Sequence, residues 1–307
     1  MLGDLRVIIN PVSGAGWTGR NWPALAERLE AMGWRLHCHI TAAPGEATAV
    51  VAHWLRSGAR EILSVGGDGT ANEVANGFFA EGRPLAPDAV LSVLPAGTGR
   101  DFARNLGLLR MADALAALAG QRVGVIDVGR ALVREHGRER ERCFLNAADM
   151  GVGALAAARA AGRRKRLGGG FTYLFSAVQA IRTFQPQTAR VLVDGALLSQ
   201  GATAVVLIAN GRFHGGGIPV APLARMDDGR LDVFVLPAVS RARLALSLLP
   251  QVRRGRHMGH PAVRHAQGQA VQVNATTLPV ELDGEYLGLA EVTVSLLPNA
   301  LRVRLPG

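Results

Sequence analysis

Short apolar runs alternate with amphipathic stretches through the first 130 residues. Arg6–Ile9 is an apolar run closed by Asn10-Pro11, a strand leading into a loop. Apolar residues at helical spacing from Trp22 to Met32 predict a helix, and Gly33 supplies a stop. The same pattern predicts strands at Arg35–Ile40, Glu61–Val65 and Ala89–Leu94, and helices at Glu46–Ser57, Asn72–Phe79 and Met111–Ala119. Regular alternation of this kind predicts a parallel sheet with helices on both faces.

The texture changes after about Val123. Arg130–Val133 and Arg142–Ala147 read as strands around a charged turn, Glu135 to Glu141. Strands then dominate: Arg190–Val193, Thr203–Ala209, Leu231–Val235, Ala270–Asn274, Leu278–Leu282 and Val292–Leu296. Helices are predicted only at Phe171–Arg182 and Arg241–Arg253. The expected architecture is an α/β N-terminal domain over residues 1–130 and a mostly β, antiparallel sandwich domain over 131–290, with segment 291–307 returning to the first.

Composition narrows the class. With 307 residues, 49% of them hydrophobic, each domain has enough apolar material for its own core, which argues against disorder. The 38 glycines follow no period, so they mark tight turns rather than a fibre. Gly195–Gly211 is uncharged, but its glycines, Ser199 and Gln200 are expected to split it into strands rather than leave a membrane span. The N-terminus lacks the basic start and apolar run of a signal peptide. Cys38 and Cys143 have no metal-ligand spacing and read as reduced thiols. A cytoplasmic protein, at most peripheral to a membrane, is expected. The net charge of +10 suits a nucleic acid, a phosphorylated ligand or an anionic membrane surface. At 5% aromatic residues, and with no basic motif interleaved with aromatics, the chain does not read as a nucleic-acid binder.

Four motifs carry chemistry. Asn10-Pro11-Val12-Ser13-Gly14-Ala15-Gly16 follows the first strand; on spacing alone it reads better as an ordinary strand-to-helix turn than as a phosphate loop. It is not a Walker A loop, because no Gly-Lys-Ser/Thr follows. Gly66-Gly67-Asp68-Gly69-Thr70-Ala71-Asn72-Glu73 follows the third strand. Its paired glycines expose backbone N–H groups to a phosphate chain, and Asp68 can hold a magnesium ion or its waters. Leu94-Pro95-Ala96-Gly97-Thr98-Gly99-Arg100-Asp101-Phe102 repeats the arrangement of strand, Gly-rich turn, hydroxyl, acid and helix. Three such turns at the carboxyl ends of neighbouring parallel strands would converge on one crevice, the strongest sign of nucleotide binding in the chain. Glu281-Leu282-Asp283-Gly284-Glu285 runs a strand into an acidic turn, and alone it reads as a solvated hairpin.

In this order the motifs resemble the diacylglycerol kinase-like lipid kinase family, whose Gly-Gly-Asp-Gly turn is shared with NAD kinases. Further pieces of the resemblance are Asp127, Asn146 with Gly151 and Gly153, Ala209-Asn210-Gly211, Gly215-Gly216-Gly217, Pro222 with Asp228-Gly229, and Leu231-Asp232. The resemblance implies an ATP- and magnesium-dependent kinase that phosphorylates the hydroxyl of diacylglycerol or a related lipid. By it, Asn10, Thr41, Gly66, Gly67, Asp68, Gly69, Thr70, Asn72 and Thr98 line the ATP site. Asp68, Asp101 and Asp127 organise the catalytic magnesium through water, and Glu285 is the general base. A second, structural Mg2+ or Ca2+ is implied on the Asp228 carboxylate with the backbone carbonyls of Arg225 and Arg230. The family usually has Asn before the acid of the third motif, where this chain has Arg100.

The basic runs Arg163–Arg166 and Arg253–His257 suit either docking on an anionic membrane or plain solvation. Leu167–Ile181 fits the buried face of a helix better than a lipid cleft. Other readings stay open: an NAD kinase-like enzyme, and a non-catalytic nucleotide or lipid sensor in which Arg100 has disabled turnover. A homodimer is compatible with the sequence.

Overall fold

The computed structural model describes residues 2–120, 122–135, 138–161, 169–275 and 278–307. The chain forms two compact units, Met1–Ile126 with Asn299–Gly307, and Asp127–Pro298.

The first unit runs β1 (Gly3–Ile9), α1 (Ser13–Ala31), β2 (Trp34–Ile40), α2 (Glu46–Arg56), β3 (Glu61–Gly66) and α3 (Asp68–Asn76). A small hairpin of β4 (Phe79–Ala80) and β5 (Arg83–Pro84) follows, then β6 (Val90–Pro95), α4 (Asp101–Asn105) and α5 (Met111–Gly120). Strands β2, β1, β3 and β6 lie side by side in that order, all parallel. Arg302–Val303, near the chain end, adds in parallel beside Val90–Leu91. Every residue of β6 is buried, as is every residue of β3 except Glu61. Continuous apolar burial is what a parallel sheet covered on both faces requires.

Two helices start earlier than periodicity predicts, because their first residues are turn formers with no apolar signal. Gly14, Ala15 and Gly16 take left-handed backbone (φ 61, 56 and 81°) before α1 becomes regular. α3 begins at Asp68, inside the second motif, with Gly67 as its cap.

The second unit is antiparallel and sandwich-like. It contains β7 (Val123–Glu135, which enters from the first unit), β8 (Arg138–Phe144), β9 (Ala147–Gly151), α6 (Val152–Ala161), α7 (Gly169–Thr183), β10 (Gln187–Val193), β11 (Ala196–Ala209) and β12 (Leu231–Pro237). α8 (Arg241–Arg243), a π-turn at Leu244–Leu248 and α9 (Leu249–Arg253) make one helical stretch. Pro250 lacks the N–H that an α-helix would close on Leu246, which fits the local widening. Then come β13 (Arg264–Gly268), β14 (Ala270–Asn274), β15 (Pro279–Leu282), β16 (Glu285–Leu289) and β17 (Glu291–Arg304). β11 pairs with β10 along its first half, and with β9 and β12 along its second. β15 joins β9 to β16, and Val292–Ser295 pairs with β14.

Three expectations are corrected here. The segment Glu135–Glu141 is not simply a charged turn, because Arg138–Phe144 is strand paired with β7. Its charges pair across the ladder, Arg130 with Glu141 and Arg134 with Glu139, each at 2.6 Å. Gly195–Gly211 is not split, since β11 runs unbroken from Ala196 to Ala209 and absorbs its irregularities as register shifts. α6 went unpredicted because its buried face is built of Ala154, Ala156 and Ala157 rather than large apolar residues.

The core of the second unit takes Ala148 and Met150 from β9, Val206 and Ile208 from β11, and Val280 and Leu282 from β15. By alternation, the opposite face of these strands carries Ala147, Leu207 and Ala209, which form a smaller cluster with Phe234. Asp149 and Glu281 lie on that second face.

Candidate active site

The three glycine turns follow β1, β3 and β6, which are neighbours in one parallel sheet, so all three emerge at the same edge. They meet through main chain. A β-carbon on Gly14 would lie 2.4 Å from the Ala96 carbonyl oxygen, and one on Gly97 would lie 2.3 Å from the Gly67 Cα. One on Gly67 would lie 3.5 Å from Ser13 Oγ, and one on Gly66 would strike the Thr70 side chain. Only glycine permits the approaches at Gly14, Gly66 and Gly97. The first turn is tied to the second by Asn10 Nδ2, which donates to Thr70 Oγ1 at 3.1 Å, and by the Asn10 N–H, which donates to the Val65 carbonyl. The Ala96 and Gly97 N–H groups both donate to the Gly66 carbonyl, tying the third turn to the second.

Asp68 and Asp101 flank Gly99. A β-carbon there would lie 2.5 Å from Asp68 Oδ2 and 3.9 Å from Asp101 Oδ2. Asp68 Oδ1 accepts the Phe102 N–H at 2.9 Å, so the acid of the second motif caps the helix of the third. Arg100 is exposed and left-handed at φ 58°, a conformation that costs Arg more than Asn. Among the described residues no group of three or more His, Cys, Asp or Glu side chains is placed to hold a metal ion. Two neighbouring carboxylates without a cage suit a magnesium ion whose remaining ligands are phosphate oxygens and water.

The other residues expected at this site fall at different depths. Thr41, at the end of β2, donates both its N–H and its hydroxyl to the Ile9 carbonyl. Gly69 and Thr98 are exposed, while Thr70 is buried. Asn72 is buried a turn into α3, where its amide oxygen accepts from Asn76 Nδ2. Ser13 and Gly14, part of the first motif but not among the residues expected to line the ATP site, belong to the convergence.

In the second unit, Asp127 lies on β7, is fully buried, and hydrogen-bonds to the loop that holds Asp228. Its N–H donates to the Met226 carbonyl, and its Oδ2 accepts the Gly229 N–H at 2.7 Å. Asp228 accepts the Arg230 N–H at 3.1 Å, and the Arg225 guanidinium pairs with Asp227. Burial pushes the Asp228 carboxyl up, and the charges of Asp232 and Asp127 add to this. A hard cation would relieve that excess of negative charge, drawing on backbone carbonyls and water to complete its shell.

The acidic hairpin is not simply solvated. Asp283 and Gly284 (φ 48 and 88°) form a two-residue turn between β15 and β16, the backbone for which Asp-Gly is suited. The half-buried Asp283 carboxylate accepts the N–H groups of Leu145, Asn146 and Ala147 at 2.6, 2.8 and 3.0 Å. Burial raises its pKa, and those N–H groups pull against the rise. Glu281 is buried as well, and its carboxylate reaches the Gly284 N–H and His214 Nε2. Glu285 is exposed, 3.8 Å from the Arg142 guanidinium. His214 and Asp149 gave no signal in the sequence, because their burial depends on long-range pairing.

Of the two basic runs, Arg163–Arg166 lies outside the described residues. In the other, Arg253, Arg254 and Arg256 are exposed, whereas His257 is buried against the Val220 carbonyl. Leu167 and the side chains of 169–174 also fall outside the description; further along α7, Ala177, Ala180 and Ile181 are buried while Phe175 and Val178 are exposed. No helix among the described residues is long and apolar enough to cross a membrane.

Residues 4–131 match the diacylglycerol kinase catalytic domain, and residues 146–305 match the YegS C-terminal NAD kinase beta sandwich-like domain. A Pseudomonas aeruginosa protein named "Probable lipid kinase YegS-like" is 34% identical over 92% of this chain and 88% of its own length. A Staphylococcus carnosus protein named diacylglycerol kinase is 28% identical over 98% of this chain and 94% of its own. A Bacillus anthracis structure described as a candidate diacylglycerol kinase superposes with a TM-score of 0.77 at 25% identity, covering 98% of this chain and 97% of that one. A yeast NADH kinase, at 10% identity and a TM-score of 0.50, shares the fold alone.

Proposed function

The chain belongs to the diacylglycerol kinase-like lipid kinase family, and on that premise we propose that it transfers the γ-phosphoryl group of ATP to the hydroxyl of a membrane lipid alcohol. The observation that carries this reading is the convergence of three glycine turns at one edge of the parallel sheet, with Asp68 and Asp101 side by side at Gly99.

Backbone N–H groups of the glycine turns and the N-terminus of α3 would receive the phosphate chain, where a helix dipole and unpaired donors favour negative charge. A magnesium ion accompanying the nucleotide would be held through Asp68 and Asp101, and would offset phosphate charge. In the reaction the acceptor oxygen forms a bond to the γ-phosphorus as the bond to the β-bridging oxygen breaks, and ADP leaves. Glu285 takes the proton of the attacking hydroxyl, a task for an exposed carboxylate within reach of substrate. Asp228, with the carbonyls of Arg225 and Arg230, would hold a structural Mg2+ or Ca2+, and Asp127 would steady that loop through Gly229. Exposed Arg253, Arg254 and Arg256 support transient contact with anionic membrane from the cytoplasmic side, at about 1 kcal/mol per basic residue.

The test is ATP turnover with magnesium against a panel of lipid alcohols in mixed micelles, with NAD as a control acceptor. Phosphate on one lipid, abolished in Glu285→Gln, is the expected result. Phosphate on NAD alone would replace the reading with an NAD kinase.

A further inference from the structure

The turn that carries Glu285 is held by side chains that no motif marks. Glu281 precedes it on β15 and is fully buried, facing away from the core that receives Val280 and Leu282. Both of its oxygens are engaged. Oε2 accepts the Gly284 N–H at 2.5 Å, and Oε1 meets Nε2 of the buried His214 at 2.5 Å. His214 is itself fixed by its N–H, which donates to the Ile218 carbonyl across the left-handed glycines 215–217. On the other side of the turn, Asp283 grips three successive N–H groups, while its own N–H donates to the Ala147 carbonyl.

We propose that Glu281 and His214 are positioning residues for the Glu285 carboxylate: the His214–Glu281 pair clamps Gly284, and so fixes the residue that follows it. The inference rests on the role given to Glu285 above. Burying Glu281 is costly, and an apolar pair would pack this face at less cost. What an apolar pair could not do is hold the Gly284 N–H in one place. Asp149 stands directly opposite Glu281 on β9, also buried. Burial first, and the charge of Glu281 second, push its carboxyl above the ordinary range. Gly153 leaves room for it, since a β-carbon there would collide with the Asp149 carboxylate.

The experiment uses the full chain in the mixed-micelle assay, with the lipid acceptor that supports turnover, and compares Glu281→Gln, His214→Leu, His214→Asn and Glu285→Gln. Displacing a reacting group slightly is enough to lower kcat about tenfold or more, and this is expected for Glu281→Gln and His214→Leu with KM for ATP unchanged. His214→Asn keeps an N–H donor and should restore most of the kcat lost in His214→Leu. Turnover unaffected by Glu281→Gln would overturn the proposal. So would His214→Asn behaving as His214→Leu with kcat, KM and melting temperature all shifted together, the mark of a purely structural role. If Glu285→Gln itself keeps full turnover, the fault lies in the role of Glu285; if it is inactive while Glu281→Gln is not, only the clamp is wrong.

Discussion

Gly67 and Gly97 pack backbone against backbone, so closely that a β-carbon on Gly97 would lie 2.3 Å from the Gly67 Cα. No flexible side chain can yield there. Gly97→Ala is therefore expected to cost about 1–3 kcal/mol of stability, as overpacking does, and to spread the second and third turns apart. Thermal melting should show the first effect, and calorimetric titration with magnesium and ATP should show binding weakened beyond it. A variant that melts lower but binds ATP normally would mean that the two turns do not share a ligand.

The buried Asp149 has a pH signature whose sign can be worked out. Its folded-state pKa is raised, by burial above all, over an ordinary value of 3.8. Above that pH the unfolded chain releases the proton while the folded chain keeps it. The folded state then binds more protons, so stability falls as pH rises, by about 1.4 kcal/mol for each pH unit over which this difference persists. Asp149→Asn should remove this slope. Melting curves should show the variant gaining on the parent as pH rises from about 4, with the gain vanishing near the unfolded value.

Arg100 is strained by its left-handed backbone. Asn adopts that region at lower cost, so Arg100→Asn should stabilise by about 1 kcal/mol. For a chain of this size that is about 2–4 °C in Tm. An unchanged melting temperature would show that the exposed Arg100 side chain recovers the strain through contacts of its own.

The two thiols should differ sharply. Cys38 is exposed on β2, whereas Cys143 is buried and its pKa is pushed up to about 12 by that burial. A thiol reagent should label one cysteine in the native protein and both after denaturation, because the thiolate is the reactive form. Burial also raises the Cys38 thiol, with Glu30 adding to it, so native labelling should speed up as pH is increased.

The sequence by itself determined the alternation that becomes the first unit and the change of texture that begins the second. β3, β6 and the Val7–Ile9 end of β1 are buried on both faces, so their burial is written locally as apolar runs interrupted only by Ser64 and Ser92. Glycine turns are equally local, because a left-handed or crowded backbone admits few other residues. Asp68, Asp101 and the Asp-Gly hairpin before Glu285 were legible for that reason. Only the tertiary structure decided what depends on partners far along the chain. Arg138–Glu141 reads as part of a charged turn until β7 is seen to pair with it. Glu281 reads as a surface acid until β9 lies beside β15 and His214 arrives from 67 residues away. Asp283 can turn its carboxylate inward because the N–H groups of Leu145, Asn146 and Ala147 converge on it. A strand's local pattern tells that its two faces differ, but which face a charge can share with the core is settled by the neighbours that supply its hydrogen bonds.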